Sequence, residues 1–200
     1  MRALILLAGS YLIGSIPFGF LAAYLSKGID IRSHGSGNTG ATNVFRVIGA
    51  PWGIAVFFLD FAKGFLPPFL FGIFIKEPAA FLYILSVVAA VCGHNWPVFL
   101  EFKGGKGVAT SLGALFSLSV IFPGLFGILL LSLASWILVF YFTKYVSLAS
   151  LASGAVFLFF SILSSLSWEI KLLSVVLFVL IVLRHKGNIQ KLIKKSEHRF

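Results

Sequence analysis

Long apolar runs separated by short polar segments make up most of this chain. Because about 20 consecutive apolar residues cross the hydrocarbon core of a bilayer, the pattern predicts about seven transmembrane helices. Their ranges are 3–25, 52–75, 78–100, 108–122, 124–142, 146–166 and 168–183. The fourth and seventh runs are short for a full crossing, so five or six spans is the alternative. We expect an all-α, polytopic membrane helical bundle that forms one domain over residues 1–200.

Composition agrees with a membrane protein. Hydrophobic residues make up 59% of the chain, charged residues 11%, and the mean hydropathy is +1.03. A soluble domain of 200 residues could not bury so much apolar surface. The first run follows Arg2, and a secretory signal peptide is the alternative interpretation. The run is long and has no clear small-x-small cleavage site, so we expect a transmembrane helix.

The distribution of cations predicts the orientation. With the N-terminus outside, twelve Lys and Arg residues fall on inner segments, and only Arg2, Lys76 and Lys171 fall on outer ones. The positive-inside rule therefore predicts an outer N-terminus and a cytoplasmic C-terminus. The formal net charge of +10 does not indicate nucleic-acid binding, because no soluble region is long enough for a binding domain. Anionic lipid or phosphate is the expected partner.

The first motif, residues 34–46, reads HGSGNTGATNVFR. Ser36 or Asn38 is a candidate cap for a short helix that begins near Gly40. Polar side chains at helical spacing then form a stripe that ends in a cation: Asn38, Thr42, Asn43 and Arg46. The glycines also match a dinucleotide fingerprint, which we reject because it needs a strand before it. A glycine-rich turn with capping residues is the alternative interpretation.

The second motif, residues 93–113, reads GHNWPVFLEFKGGKGVATSLG. Glycines before a helix present free amides at its positive end, which suits a phosphate or oxyanion. The residues of this predicted anion site are Lys103, Gly104, Gly105, Lys106 and Gly107. Its spacing is not that of an ATP-binding loop. The alternative is a tight interfacial turn with two lysines that reach the headgroups.

The third motif, residues 184–195, reads RHKGNIQKLIKK. His185 and Asn188 are three residues apart and can share a helix face, although an ordinary interfacial histidine is the alternative. Within the second span, Asp60 and Lys63 have the spacing of an ion pair, which a charge in hydrocarbon requires. Lys63 is also a candidate to face the phosphate-binding side, whereas His94 and Asn95 are expected to brace the second motif.

Together the segments GSGNTGATNVFR, GHNWPVFLEFKGGKGVAT and HKGNIQKL resemble the three cytoplasmic motifs of bacterial acyl-phosphate:glycerol-3-phosphate acyltransferases. The resemblance covers nearly all 200 residues, including LDFAKG. It implies an inner-membrane enzyme that transfers a fatty acyl chain from acyl phosphate to the 1-hydroxyl of glycerol 3-phosphate. Lysophosphatidic acid and inorganic phosphate are the implied products, as the first step of phospholipid synthesis.

The resemblance also suggests roles for the candidate residues. The glycine amides with Lys106 would bind one phosphate, while Arg46, Lys103, His185 and Asn188 would bind the other. Ser36 and Asn38 would contact the leaving phosphate or the developing oxyanion, and Thr42, Asn43 and Lys63 would contact substrate. The expected partners are acyl phosphate, glycerol 3-phosphate and membrane lipids, with no cofactor, no metal and no nucleic acid.

The sequence is compatible with two mechanisms of acyl transfer and with one different class of function. Acyl phosphate is an activated anhydride, so alignment and charge neutralisation can supply most of the rate, with His185 as the one side-chain base considered. A covalent acyl-enzyme on Ser36, activated by His34, is the competing mechanism. A transporter of a lipid or organophosphate is the alternative function, although the spans show no repeated half.

Overall fold

A computed structural model describes residues 1–75 and 79–200, and that part of the chain is helical without strands. The α-helices, in order, are α1 (Arg2–Ser15), α2 (Phe18–Lys27), α3 (Ala41–Ile48), α4 (Ala50–Phe74), α5 (Ala80–Asn95), α6 (Val108–Ile121), α7 (Gly124–Thr143), α8 (Val146–Leu163), α9 (Trp168–Arg184) and α10 (Lys186–Ile193). Short 3₁₀ turns lie at Ile31–Ser33 and Val98–Leu100. The predicted outer cation Lys76 and the predicted start of the third span at Pro78 lie outside the described residues.

The all-helical membrane architecture is confirmed, and the described residues favour the alternative of five or six spans over seven. Five stretches among the described residues are long and apolar enough to cross a bilayer: Arg2–Lys27, Ala50–Phe74, Ala80–Leu100, Gly124–Thr143 and Val146–Leu163. A sixth results if α9 and α10, which meet at a bend of 61°, count as one span. The remaining run forms α6, whose 14 residues reach about 21 Å, short of the roughly 30 Å hydrocarbon core.

The first apolar run is broken where the sequence predicts one continuous helix. Pro17 lacks a backbone N–H and separates α1 from α2. The ammonium of Lys63, on α4, donates a 2.7 Å hydrogen bond to the carbonyl of Ile16 at this break. The broken backbone is therefore satisfied by a side chain from another helix.

The chain divides into two compact units, and the first comprises Met1–Ser117. Within it, helices approach through glycines. A Cβ at Gly14 of α1 would clash with the carbonyl of Ala90 on α5, and a Cβ at Gly64 of α4 would clash with the carbonyl of Thr110 on α6. Such contacts between backbones are the usual way for helices to associate in lipid, where burial of apolar surface gives little driving force.

The second unit comprises Leu118–Phe200. Serines join α7 to α8, because Ser132 donates to the carbonyl of Ser153 at 2.8 Å, and Trp136 donates to Ser150 at 3.3 Å. The chain end folds back on the start of α8, where the N–H of Phe200 donates to the carbonyl of Lys144 at 2.9 Å. The single domain over residues 1–200 stays a prediction beside this division into two units.

Candidate active site

Asn43 organises the loop of the first motif. It lies on α3 with 2% of its surface exposed, and its side-chain amide bonds to the backbone of residues that precede the helix. Its Nδ2 donates to the carbonyls of Ile31 (3.3 Å), His34 (3.0 Å) and Asn38 (2.8 Å), and its Oδ1 accepts from the N–H of Ser36 (2.8 Å). Because both polar atoms bond to the surrounding backbone, Asn43 shapes the site, and its contact with substrate stays a prediction.

The start of α3 agrees with the sequence only in part. The helix begins at Ala41, close to the predicted position, but its N-cap is Gly40 and no side chain makes the capping bond. Asn38 instead accepts the N–H of Gly40 at 2.8 Å, one step before the helix. Asn38 therefore lies outside the polar stripe, and Thr42, Asn43 and Arg46 are its members on the helix.

The side chains that remain accessible in the first motif suit an anion. Ser36 and Arg46 are exposed, and Asn38 and Thr42 are partly exposed. Arg46 lies in the last turn of α3, where a cation interacts favourably with the helix dipole. These residues stay candidates for substrate contact.

His34 does not face Ser36 through its Nδ1 atom. That nitrogen contacts the carbonyl of Asp30 at 2.9 Å and the hydroxyl of Ser33 at 3.0 Å. The hydrogen bonds of Nδ1 thus belong to the preceding turn, so Nε2 is the atom through which His34 would have to activate a Ser36 nucleophile.

An ion pair connects the first motif to the second. Arg32 contacts both carboxylate oxygens of Asp30, with a shortest distance of 2.7 Å, and its Nη1 donates to the carbonyl of Leu100 at 3.3 Å. The hydrogen bonds from the Arg32 side chain lower the pKa of Asp30 below its ordinary value of 3.8. Since both residues are partly exposed, the pair serves mainly to hold the two loops together.

The glycines of the second motif allow it to lie against the end of α5. A Cβ at Gly104 would clash with the carbonyl of His94, and one at Gly105 would clash with the His94 imidazole. Gly107 adopts a φ of +75°, which favours glycine. The N–H of Gly105 donates to the carbonyl of His94 at 3.0 Å. The Gly105 amide therefore makes a bond within the protein in place of the predicted bond to phosphate.

The two lysines of this turn have different environments. Lys103 has 69% of its side chain exposed and pairs with Glu101 at 3.1 Å, whereas Lys106 is half-buried within the turn. Helix α6 begins directly afterwards, with the N–H of Ser111 bonded to the carbonyl of Gly107. The amides of residues 108–110 have no acceptor inside the helix. Lys106 and this helix end are therefore the stronger candidates for the predicted anion site, and Lys103 is the weaker one.

The ion pair predicted within α4 is present and buried. Lys63 Nζ lies 2.8 Å from Asp60 Oδ1, and less than 5% of either side chain is exposed. Both line a small polar cavity, together with Ser15, Ile16, Pro17, Phe18, Gly19, Thr39, His94 and Pro97. The Lys63 ammonium bonds to Asp60 and Ile16, so it joins helices, and its predicted contact with substrate finds no support here.

The third motif lies in the second unit, at the bend between α9 and α10. His185 has 2% of its surface exposed, and its Nδ1 lies 2.8 Å from the carbonyl of Ile181. A carbonyl can only accept, so Nδ1 carries the proton in the neutral ring, and Nε2 keeps its lone pair. This tautomer is the one that a general base at Nε2 requires.

Glu197 is a residue of this site that the sequence analysis missed. Its Oε1 accepts from the amide of Asn188 at 2.6 Å and from the hydroxyl of Ser147 at 3.1 Å. The carboxylate thereby orients Asn188 on α10 and ties it to α8. A lone acidic residue among the cations that follow α10 was the available signal.

Comparison with known proteins gives one consistent result. A family model described as glycerol-3-phosphate acyltransferase matches residues 4–195. A glycerol-3-phosphate acyltransferase from Aquifex aeolicus (strain VF5) is 42% identical, with both chains covered fully. One from Desulforudis audaxviator (strain MP104C) is 46% identical over 99% of this chain and 96% of its own. The crystal structure of PlsY, an integral membrane glycerol 3-phosphate acyltransferase in its glycerol 3-phosphate form, superposes with a TM-score of 0.91 at 40% identity, covering 100% of this chain and 96% of that one.

Proposed function

This chain belongs to the glycerol-3-phosphate acyltransferase family and is a membrane-embedded acyltransferase, and we propose that its acyl donor is an acyl phosphate. The acceptor is the 1-hydroxyl of glycerol 3-phosphate. Its oxygen attacks the acyl carbonyl carbon, the bond from that carbon to the phosphate oxygen breaks, and the hydroxyl proton passes to the released phosphate. The products are lysophosphatidic acid and inorganic phosphate.

The observation that carries this proposal is the placement of anion-suited groups beside lipid-facing helices. In the first unit, Lys106 and the free amides at the start of α6 are suited to one phosphate. Arg46 supplies a second, exposed cation at the end of α3. A donor with both a phosphate and an acyl chain needs this combination of a cationic polar segment and an apolar surface.

We assign roles on the same basis. Lys106, with the backbone of Gly104 and Gly107 and the α6 amides, binds one substrate phosphate, and Arg46 binds the other. Asn188, in the second unit, is a further substrate-binding residue. Ser36, Asn38 and Thr42 hydrogen-bond to the leaving phosphate or to the oxyanion that develops at the acyl carbon. His185, whose Nε2 retains its lone pair, is the side chain suited to accept or relay the hydroxyl proton.

Most of the rate enhancement in this proposal comes from alignment and charge neutralisation. Phosphate is a stable leaving group, so its departure needs stabilisation of negative charge more than proton donation. If His185→Gln retains near-normal turnover at saturating substrate, the histidine is a positioning residue and the phosphate itself takes the proton.

We further propose a bacterial inner-membrane location, with the three motifs on the cytoplasmic side. Its support is the distribution of cations along the chain: if all seven apolar runs cross, twelve Lys and Arg residues fall on that side. Cytoplasmic exposure would also give the motifs direct access to glycerol 3-phosphate, a charged metabolite.

Phosphate release tests the proposed donor. The purified protein in lipid is given glycerol 3-phosphate and palmitoyl phosphate, and we expect inorganic phosphate and lysophosphatidic acid in equal amounts only when both are present. Arg46→Ala and Lys106→Ala should each lower kcat/KM at least about 10²-fold, as loss of a charge stabiliser does. Lys103→Ala is the matched control and should stay within a few-fold of the unaltered enzyme. A folded sample that releases no phosphate would overturn the choice of donor.

A further inference from the structure

Three polar side chains form a buried cluster in the first unit that takes no direct part in the proposed chemistry. Asp60 and Lys63 lie on α4, and His94 lies at the end of α5, with exposed fractions of 2%, 4% and 6%. Asp60 Oδ1 is 2.8 Å from Lys63 Nζ and 3.6 Å from His94 Nδ1. A buried ion pair adds little net stability, since desolvation offsets the attraction of the charges. Its retention in an apolar helix therefore suggests a role in fixing geometry.

One arm of the cluster extends toward the first motif. Lys63 donates to the carbonyl of Ile16 at the break between α1 and α2, and so fixes where α2 starts. Gly19, one residue into α2, lies so close to the carbonyl of Thr39 that a Cβ there would clash with it. Thr39 lines the same cavity as Asp60 and Lys63. The position of the loop that carries Ser36 and Asn38 thus depends on this arm.

The other arm extends to the second motif. The His94 imidazole lies directly against Gly105, where a Cβ would clash with its Nε2, and the His94 carbonyl accepts the Gly105 N–H. The ring therefore forms a floor beneath the turn that places Lys106. On the side of Nδ1 the ring faces the Asp60 carboxylate at 3.6 Å, which is too far for a hydrogen bond but close enough for electrostatic attraction between the carboxylate and the ring.

We propose that Asp60 is a positioning residue of the acyl transfer: through Lys63 it holds the first motif, and through His94 it holds the lysine-containing turn of the second. This inference rests on the proposed function, because it treats both motifs as substrate-binding. Asp60 itself contacts no substrate. One carboxylate then sets the geometry of two anion-binding segments, and misplacement by about 1 Å is enough to lower the rate about 10²-fold.

The test separates positioning from folding with a charge-neutral double variant. Asp60→Asn alone leaves the Lys63 ammonium buried beside a neutral amide and is expected to fold poorly. Asp60→Asn combined with Lys63→Met removes both charges at similar volume. We expect this double variant to fold with a melting temperature close to that of the unaltered protein, yet with KM for glycerol 3-phosphate or acyl phosphate raised at least tenfold. Ser86→Ala, also buried and on α5, is the control and should keep its KM.

A second arm of the experiment tests the route through His94. His94→Gln should raise KM by a similar factor, and adding it to the double variant should raise KM little further, because both changes release the same turn. A well-folded double variant with unchanged KM would overturn the proposal, as would KM factors that multiply. If the donor were wrong instead, the unaltered protein itself would show no turnover, so the two failures are distinguishable.

Discussion

At the residue scale, Asn43 is the clearest case of a side chain whose sequence position suggests one role and whose contacts indicate another. Its amide bonds to three backbone groups of the first motif and to the carbonyl of Ile31 just before it. Truncation to alanine leaves these buried groups without a partner, at roughly 1–3 kcal/mol for each one that water cannot reach. We expect Asn43→Ala to lower the melting temperature in detergent and to reduce kcat/KM about 10²-fold or more.

Ser33→Ala is the matched control for that change. Ser33 is exposed in the same loop, and its hydroxyl donates to the carbonyl of Asp30 three residues earlier. Steady-state kinetics with both variants should show a loss only for Asn43→Ala. Full activity in Asn43→Ala would mean that the loop does not need its amide, contrary to the hydrogen-bond pattern.

Glu197 gives a second prediction at this scale. Glu197→Ala removes the acceptor that orients Asn188 and Ser147. Because the carboxylate is partly exposed, the loss of stability should be modest, about 1 kcal/mol, whereas kcat/KM should fall tenfold or more if Asn188 must be held in place. Glu169→Ala, at the start of α9, is the control carboxylate. Equal kinetic effects of the two substitutions would contradict an orienting role for Glu197.

The sequence identified the polar residues of the three motifs, but it could not separate residues that would bind substrate from residues that hold the loops in shape. Arg46 and Lys106 stay candidates for substrate binding, and Asn43, Gly105 and Lys63 are seen to bond within the protein. A motif records residue types at a spacing, and both a ligand contact and a loop-shaping bond select an amide, a glycine or a lysine. Only the direction of the side chain distinguishes them.

At the scale of elements, the packing of α1 on α5 determines where the second motif begins. Gly14 lies against the backbone of Ala90, and Tyr11 on the same helix donates to the carbonyl of Trp96, just beyond α5. Gly14→Ala would force the helices apart, at a cost of about 1–3 kcal/mol. We expect a lower melting temperature and a higher KM for substrate.

Gly9→Ala is the matched substitution on the same helix. A Cβ at Gly9 meets nothing within 4 Å, and alanine is the better helix former by up to about 1 kcal/mol. Thermal unfolding should therefore show Gly9→Ala as neutral or slightly stabilising. If Gly14→Ala were equally harmless, the close approach of α1 and α5 would not contribute to stability.

The length of the apolar runs was sufficient to predict where the membrane helices lie. Each of the seven apolar runs corresponds to a helix or a helix pair among the described residues. The break at Pro17 was beyond such a pattern, because an apolar run reports composition and not continuity, whereas the shortness of the run that forms α6 was visible in the sequence. Proline in a membrane helix is tolerated when a neighbour satisfies the freed carbonyl, and that neighbour, Lys63, is 47 residues away in the chain.

At the scale of the whole molecule, the orientation in the bilayer follows from charge and stays a prediction. In a Cys92→Ser background, and if all seven apolar runs cross, we expect an impermeant thiol reagent added to intact cells to label Ser165→Cys and to leave Ser33→Cys unlabelled. Both positions are exposed in loops. The reverse pattern would overturn the proposed cytoplasmic location of the first motif.

His198→Cys extends the same measurement to the span count. If all seven apolar runs cross the membrane, the C-terminal tail is cytoplasmic and this cysteine is protected. Labelling of His198→Cys together with protection of Ser33→Cys would mean that one run after the first motif does not cross, and α6, with its 14 residues, is the shortest.

The ion pair on α4 also bears on how the protein enters the membrane during synthesis. A lone lysine at the centre of an inserting helix is disfavoured by about 2.5–3.5 kcal/mol, and Lys63 lies near the middle of Ala50–Phe74. Its counterion, Asp60, is one turn away on the same helix. The nascent helix therefore carries its own neutralising partner and can leave the translocon before α5, with His94, has emerged from the ribosome.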